Sequence, residues 1–284
     1  MRNGILPDHT PEVVADSAPY AVLSAPKTIH TQNSMSYEEK KAHFANMLTI
    51  YGRKAVEEAL MSNDINAYKL HLADSNKPAT ILKHCEQLAN DKGTPIAWHD
   101  KRALSFISKN AKQDQGIALD ISMDNFFTLD DLQSRKAKHL IMLDNVTNPQ
   151  NVGMIIRSVA AGFVDGLIIP KKGCAELGPL AIKASVGALF KAPIYRCETS
   201  KQAVDILKDD YQLINLSLDT DIDFYDCPLD KPSIFILGNE SEGVSRVVAN
   251  ACDMQVKIPM NNAVESLNVA ITSALIAYHP ALRR

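Results

Sequence analysis

The stretch that decides the fold is the last one, Val256-Lys-Ile-Pro-Met-Asn-Asn-Ala-Val-Glu-Ser-Leu-Asn-Val-Ala-Ile-Thr-Ser-Ala-Leu-Ile-Ala-Tyr-His279. It begins as a short apolar strand, breaks at Pro259, and passes through Asn261, Asn262 and Ala263 as a loop. From about residue 266 it reads as a helix, with Ser266 as N-cap because a serine hydroxyl accepts from the free N–H groups of a first turn. Val269, Ile271, Ala274, Leu275 and Tyr278 make that helix apolar, interrupted only by small hydroxyl residues, which predicts burial on more than one side. A strand, a polar loop and a helix start form a cradle of backbone donors and carbonyls suited to a small polar ligand. An ordinary strand–turn–helix of an α/β domain has the same local pattern, so the sequence upstream has to decide.

From Lys138, apolar runs at 140–143, 166–169, 194–196, 213–216, 234–237 and 255–258 alternate with helical stretches. That is the pattern of a mostly parallel sheet flanked by helices on both faces. Ligands bind at the carboxyl ends of such strands, and two further stretches lie there. The first is Leu143-Asp-Asn-Val-Thr-Asn-Pro-Gln-Asn-Val-Gly-Met-Ile-Ile-Arg-Ser-Val-Ala-Ala-Gly162. Asn148 followed by Pro149 opens a helix well, and Val152, Ile155, Ile156, Val159 and Ala160 are its apolar stripe. Arg157 falls off that stripe, and a guanidinium there calls for an anionic partner such as a phosphate or a carboxylate. The second is Phe235-Ile-Leu-Gly-Asn-Glu-Ser-Glu-Gly-Val-Ser245, where Gly238 permits close backbone approach to a ligand and Glu240 is placed to orient Arg157 or to hold a sugar hydroxyl. No G-x-G-x-x-G follows the first strand of this region, which argues against a dinucleotide site.

In this order and spacing the three stretches resemble the motifs of the SpoU/TrmH family of RNA ribose 2'-O-methyltransferases. The resemblance runs from about Lys138 to the C-terminus. It implies a SPOUT fold with a C-terminal trefoil knot, S-adenosyl-L-methionine as cofactor, and a homodimer with its site near the subunit interface. It also implies that Asn151, Arg157, Glu240, Ser266 and Asn268 form the catalytic centre, with Arg157 assigned to activating the ribose hydroxyl. Arginine stays protonated in proteins, with a pKa above ~12. Its expected role is therefore electrostatic, stabilising a developing alkoxide or holding the adjacent phosphate. The methyl donor needs mainly alignment. Leu216, Ser217, Leu237, Gly238, Asn239, Gly243, Ile258, Met260, Leu267 and Asn268 are the expected cofactor contacts. Ala184-Ser-Val-Gly-Ala-Leu-Phe-Lys191, with Lys183 before it, resembles another family element and reads as packing plus phosphate contact.

Before the catalytic region, residues 1–45 carry Pro7, Pro11, Pro19 and Pro26 without periodicity and read as a poorly ordered arm. Residues 46–123 read as a small α/β unit. A tight entry and an amphipathic helix with Val56, Ala59 and Leu60 inward lead into strands near 67–73, 96–98 and 116–121, with helices near 81–90 and 103–108. The Tyr51-Gly-Arg-Lys-Ala-Val-Glu-Glu-Ala-Leu60 start and Gln115-Gly-Ile-Ala118 exit resemble the family's substrate-binding domain. Arg53, Lys54, Lys109 and Lys112 are its expected RNA contacts. Asp114 stands where family members often have His, which puts RNA contact at that position in doubt. Residues 124–136, polar and acidic, read as a linker to the catalytic domain at 137–284.

Composition narrows the class. The chain has 284 residues, 46% of them hydrophobic, and no apolar run of membrane-spanning length. An N-terminus rich in Pro, Asp and Glu predicts neither a secretory signal nor a transit peptide. The five cysteines are scattered, without a C-x-x-C pair, which predicts a reduced cytoplasmic protein with no zinc site and no disulfide framework. The formal net charge of −3 requires any RNA footprint to be a local patch. The expected activity is ribose 2'-O-methylation of RNA, ribosomal RNA ahead of transfer RNA. The rivals are a non-catalytic RNA-binding or ribosome-assembly factor of the same fold and a generic α/β nucleotide-binding enzyme.

Overall fold

The computed structural model describes residues 47–63 and 65–282; the expected N-terminal arm lies outside the described residues. The first unit comprises β1 (Met47–Tyr51), α1 (Arg53–Met61), β2 (Asn66–Ala73), α2 (Thr80–Asp91), β3 (Ile96–His99), α3 (Lys101–Ser108) and β4 (Ile117–Ser122). Its sheet runs β1-β4-β2-β3, antiparallel except for the β2–β3 pair. The strand β1, which the sequence reading did not include, is followed by Gly52, whose φ of 90° lets the chain turn sharply into α1. Val56, Ala59 and Leu60 are buried as the helical spacing requires.

The second unit is built on β5 (Phe126–Thr128), α4 (Asp131–Ser134), β6 (His139–Leu143), α5 (Pro149–Ala161), β7 (Gly166–Pro170), α6 (Pro179–Ser185) and β8 (Ile194–Cys197). It continues with α7 (Ser200–Leu207), β9 (Gln212–Leu216), β10 (Ser233–Leu237), α8 (Arg246–Ala249), β11 (Met254–Val256) and α9 (Val269–Ala277). The strands form a seven-stranded sheet in the order β11-β9-β10-β6-β7-β8-β5, with every pair parallel. Alternate residues feed opposite layers. Ile141 and Leu143 pack with the buried side chains of α5 and α9, whereas Leu140 and Met142 pack with those of α7 and α8.

Three details of the reading need correction. Residues 124–136 are not a linker, because β5 pairs with β8 as the seventh strand and Phe126 is buried. Asn125 anchors that strand by donating to the carbonyls of Leu189 and Ala192, both at 2.7 Å. A three-residue strand is too short to show an alternation pattern. The last strand stops at Val256, and Lys257 pairs only as an isolated bridge with Asp223. The final helix starts two residues later than Ser266 proposes. Its N-cap is Asn268, whose Oδ1 accepts from Ala270 N at 2.9 Å. Asn and Ser cap about equally well, and the chain uses the later of the two.

Candidate active site

Parallel pairing brings the loops after β6 and β10 side by side, because Leu143 and Leu237 are register partners at the ends of adjacent strands. The buried Asp144 locks the two loops together. Its Oδ2 accepts from Ser245 N at 2.7 Å, and its Oδ1 accepts from Ser200 Oγ at the start of α7. Asn239 Nδ2 adds a bond to the carbonyl of Asn145 at 3.2 Å. Asp144 was legible only as the carboxylate directly after a strand end, and the sequence reading gave it no role.

On this base three of the expected catalytic residues meet. Asn148 caps α5, accepting from Gln150 N at 2.9 Å, and so places Asn151 on the first turn facing inward. Asn151 Nδ2 donates to Glu240 Oε1. Asn151 Oδ1 accepts from Asn268 Nδ2 at 3.2 Å. The amide of Asn151 thus joins a carboxylate after β10 to the residue that caps α9. Ser266 is exposed and does not cap the helix.

Arg157 is not in this cluster. Six residues along a helix turn it by roughly 600°, which leaves Arg157 about 120° around the axis from Asn151 and ~9 Å further along. The expected pairing with Glu240 is therefore absent, and that carboxylate is taken by Asn151. Arg157, off the apolar stripe as expected, is exposed, and so is Ala160, which the sequence reading counted in the stripe; both line a cavity of about 670 Å³ between the two units. Val152, Ile155, Ile156 and Val159 are buried as expected.

The expected cofactor residues lie where β11, β9 and β10 end next to one another. Leu216, Ser217, Ile258, Met260 and Leu267 are half-buried, while Leu237 is buried. No titratable side chain belongs to this set. Apolar walls with backbone polar groups at strand ends suit a purine nucleoside bearing a small charged tail, and the residues fit such a group. Gly238 has a different use from the one its sequence suggests. A Cβ there would come within 2.1–2.2 Å of the Gly243 and Val244 backbone, so its bare backbone closes the loop on itself. Reciprocal Asn239–Gly243 backbone bonds of 3.0 and 2.9 Å seal the same turn.

In the first unit, Arg53 and Lys112 share a hollow of about 510 Å³ with Lys77 and Lys101, two cations the sequence reading did not single out. Arg53 is partly committed, since its Nε donates to the Gln115 carbonyl at 3.1 Å. Lys54 pairs with Glu57 at 2.8 Å, and Lys109 ends α3 in the left-handed conformation; neither lines the hollow. Asp114 is 4% exposed and turned inward, accepting from Ser108 Oγ and Gly116 N at 3.0 Å each. It shapes the loop and also lines the hollow, as a carboxylate among the four cations.

Comparison with known proteins is consistent along the chain. Residues 138–278 match the SpoU rRNA Methylase family, and residues 49–127 match the domain described as RNA 2'-O ribose methyltransferase substrate binding. A Staphylococcus haemolyticus protein, whose name assigns it to the TrmH family of tRNA/rRNA methyltransferases, is 32% identical over 84% of this chain and 96% of its own length. A Mycolicibacterium vanbaalenii protein named as an uncharacterized tRNA/rRNA methyltransferase is 31% identical over 83% of this chain and 76% of its own. Among solved structures, the SpoU methyltransferase AviRb from Streptomyces viridochromogenes, in complex with the cofactor AdoMet, superposes with a TM-score of 0.57 at 22% identity, covering 86% of this chain and 92% of that one. An AdoMet-bound rRNA methyltransferase from Sinorhizobium meliloti gives 0.55 at 20% identity, covering 84% and 88%.

Proposed function

The chain belongs to the SpoU/TrmH family of RNA methyltransferases, and from that premise we propose that it methylates a ribose 2'-hydroxyl of RNA, ribosomal RNA ahead of transfer RNA, with S-adenosylmethionine as methyl donor. The observation that carries this reading is the Asn151–Glu240–Asn268 contact. It draws one residue from each of three distant stretches into one polar centre beside the strand-end cradle. The first unit's match to a substrate-binding domain for ribose methyltransferases supports the choice of hydroxyl.

When bound, the cofactor supplies an electrophilic methyl group on a sulfonium. Leu216, Ser217, Leu237, Gly238, Ile258, Met260 and Leu267 would hold it, and the apolar side chains among them exclude water from its purine. Asn151, fixed at both ends of its amide, holds Glu240 and the start of α9 in one geometry, so the site is organised before RNA arrives. Glu240 accepts a hydrogen bond from a sugar hydroxyl with its remaining oxygen. Arg157 holds RNA phosphate or steadies the developing alkoxide, worth ~10²–10³-fold in rate for one such donor.

The same reading includes a homodimer. The apolar α9 leaves Ile271 and Tyr278 53% and 42% exposed, and α5 contributes Met154 at 41%. It also includes the knotted C-terminal passage, supported by His279 packing edge-on against Phe224 and hydrogen-bonding its carbonyl at 3.3 Å. Among the described residues no helix is long and apolar enough to cross a membrane, and all five cysteines are free.

The test is a nucleotide-resolution map of ribose methylation in ribosomal and transfer RNA, with and without this gene in its own host. One position lost on deletion, restored by the parent protein and not by Arg157→Ala, is the expected result. An unchanged map overturns the reading in favour of a non-catalytic assembly factor.

A further inference from the structure

Between the two units runs a cavity of about 670 Å³, within the ~300–1,000 Å³ range of pockets that enclose small ligands. One wall is α1 and the residue that ends it, through Ala55, Glu58, Ala59 and Ser62. The other is the end of α5 and the segment from α6 to Lys191. This second wall carries Arg157, Lys183 and Lys191, all exposed, and none has a salt-bridge partner among the described residues. Three cations gathered in a concavity that holds one carboxylate, Glu58 on the facing wall, leave a net positive site that raises the local concentration of a polyanion, whatever the net charge of the chain.

A second observation lies on the same wall. Val186 ends α6 in the left-handed conformation, with φ 51° and ψ 47°, and is 70% exposed. A β-branched residue is out of place there. Gly187 follows with φ 79°, so the pair swings the chain round and leaves the Val186 side chain standing out beside the half-buried Phe190. Strain of this kind persists where the surrounding structure imposes it, and it clusters at ligand clamps.

We propose that this interdomain cleft is the seat of a single-stranded RNA segment. Its phosphates lie along Arg157, Lys183 and Lys191, and an unstacked base lies against Val186 and Phe190. Cations tracking a backbone beside apolar faces for bases are the usual means of holding single strands, and a concave site favours unstacked nucleotides over a duplex. Glu58 on the opposite wall repels phosphate and so orients the strand with its backbone toward α6. The inference rests on RNA being the substrate, as proposed above. It adds that both units grip one strand at their junction, on surfaces separate from the hollow around Arg53.

The experiment uses the full chain and a fluorescein-labelled 12-nucleotide single-stranded RNA of mixed sequence, with anisotropy titrations from 50 to 200 mM salt. The double variant Lys183→Gln/Lys191→Gln is expected to bind about tenfold more weakly at low salt. Its plot of log affinity against log salt should flatten by ~1.4, or ~0.7 for each phosphate no longer neutralised. Lys208→Gln, on an exposed residue outside the cleft, should leave both quantities unchanged. Val186→Gly removes the left-handed strain, so it should keep or raise the thermal midpoint while weakening RNA several-fold. Parent-like affinity and slope in the double variant, or parent-like RNA binding in Val186→Gly, overturns the proposal. Calorimetry with S-adenosylmethionine runs in parallel: absence of cofactor binding in the parent protein undermines the proposed activity, whereas intact cofactor binding with an unchanged RNA slope rejects the cleft alone.

Discussion

Asn268 Nδ2 donates to Asn151 Oδ1 at 3.2 Å, across 117 residues of sequence. Asn268 uses its own oxygen to cap α9, and Asn151 uses its own amide nitrogen to hold Glu240. Asn268 therefore has one local and one long-range task and Asn151 has two long-range ones, and neither amide can rotate without breaking both of its bonds. This linkage fixes α5, the loop after β10 and the start of α9 as one unit. It converts three loops, which would otherwise move independently, into a rigid rim for the strand-end cradle.

Asn151→Asp should show that the amide is needed as a donor. The buried carboxylate would face Glu240, leaving two acceptors where a donor–acceptor pair stood, at a cost of ~1–3 kcal/mol. Repulsion between two carboxylates is relieved when one takes a proton, so the loss should be larger at pH 8 than near pH 4.5. Urea unfolding at both values measures this. An equal loss at the two values would mean that Asn151 and Glu240 do not face each other in solution.

Gly238→Ala tests the loop closure. A methyl group 2.1 Å from the Gly243 backbone must push the turn open, and overpacking of this kind costs ~1–3 kcal/mol. Because Leu237 and Gly238 belong to the proposed cradle, affinity for S-adenosylmethionine should fall together with stability. Unchanged cofactor affinity, measured by calorimetry, would move the cofactor away from this turn.

Much of this arrangement was legible because the signals are local. The Asn148-Pro149 start, the α5 stripe and the strand runs at 140–143 and 234–237 follow from capping and periodicity, and the observed elements match them within a residue or two. What escaped was set by tertiary partners. Strand β5 exists because β8 offers an edge and Asn125 reaches two carbonyls across the fold. Asp144 matters because Ser200 and Ser245 happen to arrive beside it. Arg157 and Glu240 are paired only by the family resemblance, yet a motif records spacing along the chain and not which side of a helix faces which loop. Asp114 reads as a charge at an RNA surface until burial and its two donors are known.

Acid should destabilise the first unit through one chain of contacts. Thr49 Oγ1 donates to Asp120 at 2.6 Å, His71 Nε2 lies 3.0 Å from the other oxygen, and His71 Nδ1 lies 2.9 Å from His99 Nε2. Burial pushes the Asp120 carboxyl up, but hydrogen bonds from His71 and Thr49 outweigh it and hold the group below the usual Asp value. Burial, with His71 and Lys69 nearby, holds His99 below the usual His value. Both groups thus take up protons more readily in the unfolded chain. Stability is then complete above the ordinary His value of ~6.5 and falls as pH drops through the His range and then the Asp range. Urea midpoints at pH 7.5, 5.5 and 4 should decline in order, and His99→Gln should remove the first part of that decline while leaving the second. A flat profile in the parent protein would contradict the network.

The last helix offers the sharpest test of assembly. α9 is apolar around its whole circumference, and a helix of that kind needs cover on every side. The sheet, with α5, buries Val269, Ala270, Ile276 and Ala277, yet Ile271 stays 53% exposed and Tyr278, bonded to the Ala161 carbonyl at 2.8 Å, stays 42% exposed. Phe163 stands edge-on to Tyr278 at 5.6 Å and is also 42% exposed, which extends the apolar surface beyond one side chain. A second copy of the same face is its natural complement, since a two-fold contact matches a patch to itself. Ile271→Glu leaves the interior untouched, so its effect on the isolated fold should stay within about ±0.5 kcal/mol. In a paired face it would set two buried, unpaired carboxylates near one symmetry axis. Sedimentation velocity should then show a dimer for the parent and a monomer for Ile271→Glu, with far-ultraviolet circular dichroism unchanged. A parent protein that sediments as a monomer at micromolar concentration would leave this face without the partner argued for it, and a dimeric Ile271→Glu would put the interface elsewhere.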